Sequence, residues 1–269
     1  MRHIFKIIFL FLIPVCANSQ KVALVLSGGG AKGLAHIEVL KYIEEQGIPI
    51  DCITGTSMGA VVGSFYAAGY SPEEIETIVL SRNFRNWVNG VSERNYNSHF
   101  FSKTPDAEMI SLSMGVDHSL IPKFNPSFGK DAIINFILAR YLAEASAKSG
   151  NNFDSLFVPF RAMAAEIFTQ SQVVMDSGNL HEAVRASMAV PYIYRPVRLN
   201  DKLLFDGGLY NNFPVDVALK SFNPDVVIGV NVSRTVFEEY PYDQDEDLIS
   251  KSLFINLLNK SDPGTLREQ

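Results

Sequence analysis

The sequence predicts an α/β domain built on a mainly parallel central sheet, and three observations carry that expectation. Lys21–Ser27 (KVALVLS) is a nearly unbroken apolar run of strand length, the pattern of a strand buried on both faces. A strand, a glycine-bearing loop and a helix then follow one another twice between Lys21 and Gly69. Further apolar runs at Leu156–Ala164, Ser171–Met175, Lys202–Phe205 and Asp225–Val232 read as strands, separated by loops and helical segments.

Taken in order, the first strand runs into Gly28-Gly29-Gly30, after which Leu34, Ile37, Leu40 and Ile43 share one helical face, ending near Gln46-Gly47. A short strand, Cys52–Thr54, leads into Gly55-Thr56-Ser57-Met58-Gly59 and the small-residue helix AVVGSFYAAG. Ser71-Pro72-Glu73-Glu74 has capping-box spacing with proline at the first helical position, which predicts a third helix to Ser81. From Arg82 to Gly129 no period survives. That stretch is too long for an ordinary connection, and reads either as a lid or lipid-facing cap or as a surface excursion packed by its own aromatics. Lys130–Lys148 and Leu180–Met188 read as helices, Lys202–Phe205 as the strand that delivers Asp206, and Glu238–Asp247 as a solvated acidic run.

At the N-terminus, Arg2 and Lys6 precede an apolar run, Ile7–Val15, and the small-residue stretch Ala17-Asn18-Ser19. The run is too short to span a bilayer and reads as an export signal cleaved after Ser19. Residues 1–19 are therefore expected to be a signal peptide, 20–260 one domain, and 261–269 a C-terminal tail. Cys16 raises the alternative of a lipid-modified N-terminus, against which the bulky Val15 speaks. After cleavage only Cys52 remains, which excludes an intramolecular disulfide and a cysteine-rich metal site. Losing Arg2 and Lys6 takes the formal net charge from −6 to −8, which argues against a nucleic-acid partner and leaves lipid contact to apolar surface.

The chemistry concentrates in three places. Gly55-Thr56-Ser57-Met58-Gly59 fits G-x-S-x-G between a strand and a helix, the setting in which a tight turn projects a serine hydroxyl into open space. Gly55 and Gly59 permit the turn and close helix packing, and the helix N-terminus favours negative charge near Ser57. A serine needs a base. None of the five histidines (His3, His36, His99, His118, His181) follows the Asp206 region, and His36, early in the first helix, reads as a packing or hydrogen-bonding residue. Asp206 in Leu204-Phe205-Asp206-Gly207-Gly208 is the better candidate, since it ends an apolar strand and Gly207 and Gly208 allow close backbone approach. A bare Asp-Gly-Gly is more often only a turn. The backbone N–H groups of Gly28, Gly29 and Gly30, with that of Met58, form a candidate oxyanion cradle, to which Lys32 either adds charge or is merely solvated.

Gly28-x-Gly30-x-x-Gly33 also matches a dinucleotide-binding fingerprint, but that fold wants an acidic residue after its second strand, and Asp51 precedes it. No G-K-[ST] follows the glycines and no H-E-x-x-H occurs, so a P-loop and a zinc hydrolase lack their ligands.

Together, GGGAKGLAH (Gly28–His36), GTSMGA (Gly55–Ala60), VRASMAVPYIYRPV (Val184–Val197) and LLFDGGLYNNFPVDVA (Leu204–Ala218) closely resemble the patatin-like phospholipases. The resemblance covers Lys21 to Val232 and is weakest from Arg82 to Asn152. It implies a three-layer α/β/α fold, a Ser57–Asp206 dyad, an oxyanion cradle at Gly28, Gly29 and Gly30, and metal-free, cofactor-free deacylation of phospholipids or other acyl lipids at a membrane surface. Lys32 stands where many relatives carry arginine, and Ala164-Ala165-Glu166 replaces the more usual Ala-Thr-Asp. Some secreted bacterial relatives continue into an outer-membrane barrel, so 261–269 is also read as the start of a further region. The expected location is the periplasm, the outer membrane or the exterior. Rival readings are a non-catalytic lipid-binding domain and an acyltransferase or thioesterase sharing the acyl-serine.

Overall fold

The computed structural model describes residues 20–88, 111–116, 122–127 and 131–233. In chain order these form β1 (Val22–Leu26), a 3-10 turn (Gly30–Leu34), α1 (Ala35–Glu45), β2 (Cys52–Thr56), α2 (Met58–Ala67), α3 (Pro72–Val79) and α4 (Arg82–Val88). There follow β3 (Ser111–Val116), β4 (Pro122–Ser127), α5 (Asp131–Lys148), β5 (Phe160–Glu166), β6 (Ser171–Met175) and α6 (Leu180–Ser187). The last elements are β7 (Val197–Leu199), β8 (Lys202–Asp206), α7 (Val215–Phe222) and β9 (Val226–Val230).

Hydrogen-bonded neighbours in the main sheet run β7-β8-β5-β2-β1-β9, with β6 also on β5, while β3 and β4 form a separate antiparallel pair. The centre is parallel, as expected: β9, β1, β2 and β5 pair in that sense. The far side is antiparallel, so the sheet is mixed. Along β1, Leu24 and Leu26 enter the large core with α1, α2 and α6, whereas Ala23 and Val25 join Cys52, Ala218 and Phe222 beneath α7. This period of two puts helices on both faces and makes three layers.

Register on β5 positions everything at the sheet's end. β2 pairs with Phe160–Met163, β8 with Ala164–Glu166, and β6 with Ala162–Glu166. A strand has two edges, and β6 overlaps both other partners, so β2 and β8 must share the opposite edge in succession. They approach head-on, because β2 is parallel to β5 and β8 antiparallel. Their C-terminal residues, Thr56 and Asp206, thus sit opposite the consecutive residues Met163 and Ala164.

Three expectations shift. The third helix stops at Val79; the Ser81 hydroxyl donates to the Ile78 carbonyl (2.7 Å) and accepts from Phe84 N–H (3.0 Å), so α4 begins inside the stretch read as patternless. The strand expected at Leu156–Ala164 starts only at Phe160, because Pro159 has no N–H for a ladder; its carbonyl instead accepts from Ile53 N–H at 2.8 Å. β7, three residues long, is too short for a period and pairs with β8 through the Asn200–Asp201 turn. The capping box is present as expected, with Ser71 Oγ accepting from Glu74 N–H at 3.3 Å and Glu74 accepting from Ser71 N–H at 2.9 Å. The leader with Cys16, the acidic run and the tail lie outside the described residues, as does most of Arg82–Gly129.

The glycines around Ser57 are steric necessities. A Cβ on Gly59 would lie 2.4 Å from the Leu26 carbonyl oxygen, and one on Gly55 2.6 Å from the Gly59 carbonyl oxygen. Backbone atoms cannot yield as a flexible side chain would. Gly59→Ala is therefore expected to lower stability by about 1–3 kcal/mol or more, read from urea unfolding midpoints with an unchanged slope.

Candidate active site

Ser57 occupies the single residue between β2 and α2, at φ 53° and ψ −121°, a backbone conformation that side chains other than glycine rarely adopt. That tight turn is the nucleophile-elbow geometry read from G-x-S-x-G. Strain of this kind typically costs about 1–3 kcal/mol and persists only where its surroundings hold it. Here Ser57 N–H donates to Ser187 Oγ at 3.0 Å, and Val61 N–H returns to the Ser57 carbonyl at 3.0 Å.

Asp206 ends β8 and is 6 % exposed. Its Oδ1 accepts from Gly208 N–H at 2.7 Å, and Oδ2 is buried without a direct hydrogen-bond partner. Burial pushes the carboxyl up to about 6, against a downward pull from the neighbouring Ser57 hydroxyl and Gly208 N–H. The Ser57 hydroxyl thus neighbours the carboxyl, while Oδ2 makes no direct hydrogen bond to it. Asp206 N–H donates to the Ala189 carbonyl at 3.0 Å. One short segment, Ser187–Ala189 at the end of α6, therefore holds the backbone of both residues.

That segment is itself anchored. Arg185, one turn earlier, is buried against Asp131 of α5 (3.3 Å) and lies over the Tyr194 ring at 4.7 Å. On the other side, the loop after Asp206 is laced across the strand ends. Thr56 Oγ1 donates to the Asn211 carbonyl (2.9 Å), Thr54 Oγ1 to that of Pro214 (3.3 Å), and Gly28 N–H to that of Asn212 (3.1 Å).

This last bond corrects the sequence reading of Gly28, whose N–H is already engaged. Its role is closeness: a Cβ there would stand 3.1 Å from Ser57 Cβ and 2.3 Å from Asn212 Oδ1. Among the described residues, none accepts from the N–H of Gly29, Gly30 or Met58, which leaves them as candidate oxyanion donors. Gly29 is half-exposed and Gly30 exposed, while Met58 opens α2, whose N-terminus favours anions. Gly33 packs on Met58 (2.4 Å from Cγ to a built Cβ) and Gly207 on the Met163 carbonyl (2.5 Å). Lys32 is exposed.

Other candidates are otherwise occupied. His36 is fully buried with Nε2 at 2.8 Å from the Ser27 carbonyl, and burial lowers its pKa, which suits packing. His181 opens α6, the opposite end from Ser187; His3, His99 and His118 lie outside the described residues. Asp51 accepts from Val22 N–H at 2.7 Å, at the far end of β1 from the glycines, where no ribose on that loop could reach it. Ser187 and Asn212 were missed as individuals, although both fall in segments that carry the family resemblance.

The patatin-like phospholipase family pattern matches residues 24–219. The mouse patatin-like phospholipase domain-containing protein 7 is 30% identical over 220 residues, 80% of this chain and 14% of that protein. Lysophospholipase NTE1 of Pyricularia oryzae is 29% identical over 258 residues, 94% of this chain and 15% of that protein. An uncharacterized NTE family protein of Mycobacterium tuberculosis is 28% identical over 217 residues, 81% of this chain and 50% of that protein. The chain thus spans half or less of these relatives. Among solved structures, VipD from Legionella pneumophila aligns over 72% of this chain and 47% of its own, at 12% identity and a TM-score of 0.45.

Two outcomes test the geometry. An acid whose folded pKa lies near 6 rather than 3.8 costs stability once pH passes from the lower value through the higher, on the order of 3 kcal/mol above pH 6. Asp206→Asn is expected to raise the melting midpoint at pH 8 and to lose that advantage at pH 4, by scanning calorimetry. Ser187→Ala strips the Ser57 N–H of its acceptor, whereas Ser187→Thr keeps a hydroxyl. The alanine variant should slow fluorophosphonate labelling of Ser57 about tenfold, corresponding to about 1.4 kcal/mol, with partial rescue in the threonine variant.

Proposed function

Because this chain belongs to the patatin-like phospholipase family, we propose that it is a serine lipid acyl hydrolase of phospholipase A or lysophospholipase type, acting through Ser57 and Asp206. The observation that carries this reading is the pairing of a serine at φ 53° with a buried carboxyl pushed up to about 6. The similarity to a phospholipase-domain protein and to a lysophospholipase supports the substrate class.

In the proposed reaction, Asp206 Oδ2 takes the Ser57 proton as Oγ bonds to the acyl carbonyl carbon. The carbonyl electrons move to oxygen, and the oxyanion is held by N–H groups of Gly29, Gly30 and Met58. Collapse expels the alcohol, which regains the proton from Asp206 and leaves an acyl-serine. Water then adds to the ester, with Asp206 taking its proton and returning it to Ser57 as the fatty acid leaves. A base near 6 is ionised at neutral pH and is a stronger proton acceptor than an ordinary aspartate. Tuning by burial thus serves the chemistry. The reading extends to an exported protein working at a membrane surface, on the strength of the sequence pattern in residues 1–19 and the acyl-lipid substrate.

Fluorophosphonate is expected to label wild-type protein at Ser57 alone, by intact mass and peptide mapping, and Ser57→Ala to remain unlabelled and folded. Hydrolysis of a phospholipid should fall at least about 10³-fold in that variant. The logarithm of kcat/KM should climb with unit slope up to about pH 6 and then level, as Asp206 ionises. Absence of labelling in folded protein would move the chain to a non-catalytic lipid-binding role.

A further inference from the structure

We infer that the end of the sheet bearing Ser57 and Asp206 docks on an anionic phospholipid surface through the Ile167–Phe168 hairpin tip and the adjoining Tyr192–Ile193 turn. The choice of a lipid partner rests on the hydrolase reading above; the geometry stands on sheet register and exposure.

Asp206 pairs with Ala164, and β5 continues past that level to Glu166 before turning. Glu166, the last strand residue, therefore stands about 7 Å beyond the Asp206 level at ~3.3 Å per residue, and the Ile167–Gln170 turn that carries Phe168 projects past it. The tip is built to hold it there. Ile167 N–H donates to the Leu203 carbonyl (3.3 Å), tying the turn to β8. The buried Glu166 carboxylate accepts from Phe168 N–H (3.1 Å) and from both the N–H and the hydroxyl of Thr169. Glu166, which departs from the family's usual residue, thus pins a turn that leaves Phe168 79% and Ile167 38% exposed.

A second exposed apolar pair follows the segment that holds Asp206. Tyr192 is 65% and Ile193 42% exposed, three and four residues after Ala189, whose carbonyl holds Asp206 N–H. The Val190 carbonyl accepts from Ile193 N–H (3.1 Å) and Tyr194 N–H (3.0 Å), which fixes this turn as well. Single exposed apolar residues are ordinary. Phe157, at the opposite end of β5, is such a case. Four of them on two braced turns, around and beyond one reactive pair, make an insertion surface.

Charge selects the kind of membrane. Arg195, Arg198 and Lys202 are exposed on the segment that runs from the Tyr192–Ile193 turn to the start of β8, whose one acidic residue, Asp201, lies 3.8 Å from Arg198, on a chain whose formal net charge is −6. A local cationic face on an acidic protein orients that face toward anionic headgroups. Sequence-level charge hid this, because the sum is negative while the rim of the site is positive.

The test uses the full chain and Phe168→Trp, read against the wild-type background of Trp87, the sequence's one tryptophan. On vesicles of phosphatidylcholine with phosphatidylglycerol, the added tryptophan emission should shift to the blue and be quenched by brominated acyl chains. On phosphatidylcholine alone the effect should be several-fold weaker, and Arg198→Glu with Lys202→Glu should erase that difference. Phe168→Ser should lower hydrolysis of vesicle phospholipid about tenfold while leaving hydrolysis of a soluble short-chain ester unchanged. An added tryptophan that stays open to acrylamide with vesicles in excess, or vesicle hydrolysis untouched by Phe168→Ser, overturns docking. Wild-type protein that docks but hydrolyses neither substrate overturns the hydrolase reading alone.

Discussion

The molecule depends on one edge of β5 being shared by two strand ends. β2 occupies it up to Met163 and β8 from Ala164 onward, running toward each other. Neither can extend, since each blocks the other, so both must turn away where they meet. The chain after β2 turns at Ser57 into α2, and the chain after β8 turns at Asp206 into Gly207-Gly208. Residues 149 positions apart in sequence are brought together by register alone, before any side chain acts. The glycines follow from the same constraint: two chains leaving one point leave no volume for Cβ atoms at Gly55, Gly59 or Gly207.

Such a junction is energetically unfavourable in two ways, and the surroundings offset both. Ser57 holds a strained backbone, and Asp206 is a carboxyl taken out of water. The offset comes from backbone and hydroxyl bonds converging from three directions: Ser187 and Ala189 from α6, Thr54 and Thr56 from β2, and Asn211–Pro214 from the following loop. Arg185 on Asp131 and Tyr194 fixes α6 to the rest of the domain. The partners are mostly neutral donors and carbonyls. A cation beside Asp206 would have favoured its charged form and kept its pKa low. Neutral bracing fixes its position while burial keeps it basic.

Much of this was legible in the sequence, for identifiable reasons. β1 and β2 read correctly because strands buried on both faces leave continuous apolar runs, and the glycines around Ser57 read correctly because sterics permit nothing else. β5 was read four residues early, since Leu156 and Val158 are buried without being in the strand and only Pro159 marks its start. β7 was invisible: three residues carry no period. Gly28 was assigned a donor role that Asn212 pre-empts, and no sequence pattern discloses which of several neighbouring N–H groups a distant carbonyl will take. Ser187 and Asn212 were unreadable for the same reason, since their partners lie 130 and 184 positions away.

Glu166 shows how a departure from a family's pattern acquires meaning only in three dimensions. In sequence it is an anomaly within Ala164-Ala165-Glu166. In the fold it is buried, and ordinarily a buried carboxylate is costly unless its oxygens are bonded. Here three donors from Phe168 and Thr169 satisfy it and hold its pKa below the usual carboxylate range, although Asp206, two ladder steps away, is pushed upward. Both are buried, so the difference between the two acids is donor count. One carboxylate is saturated with hydrogen bonds and becomes a structural rivet for the hairpin tip. The other keeps one oxygen without a direct partner and a raised pKa, which is what the proposed proton transfer from Ser57 would require.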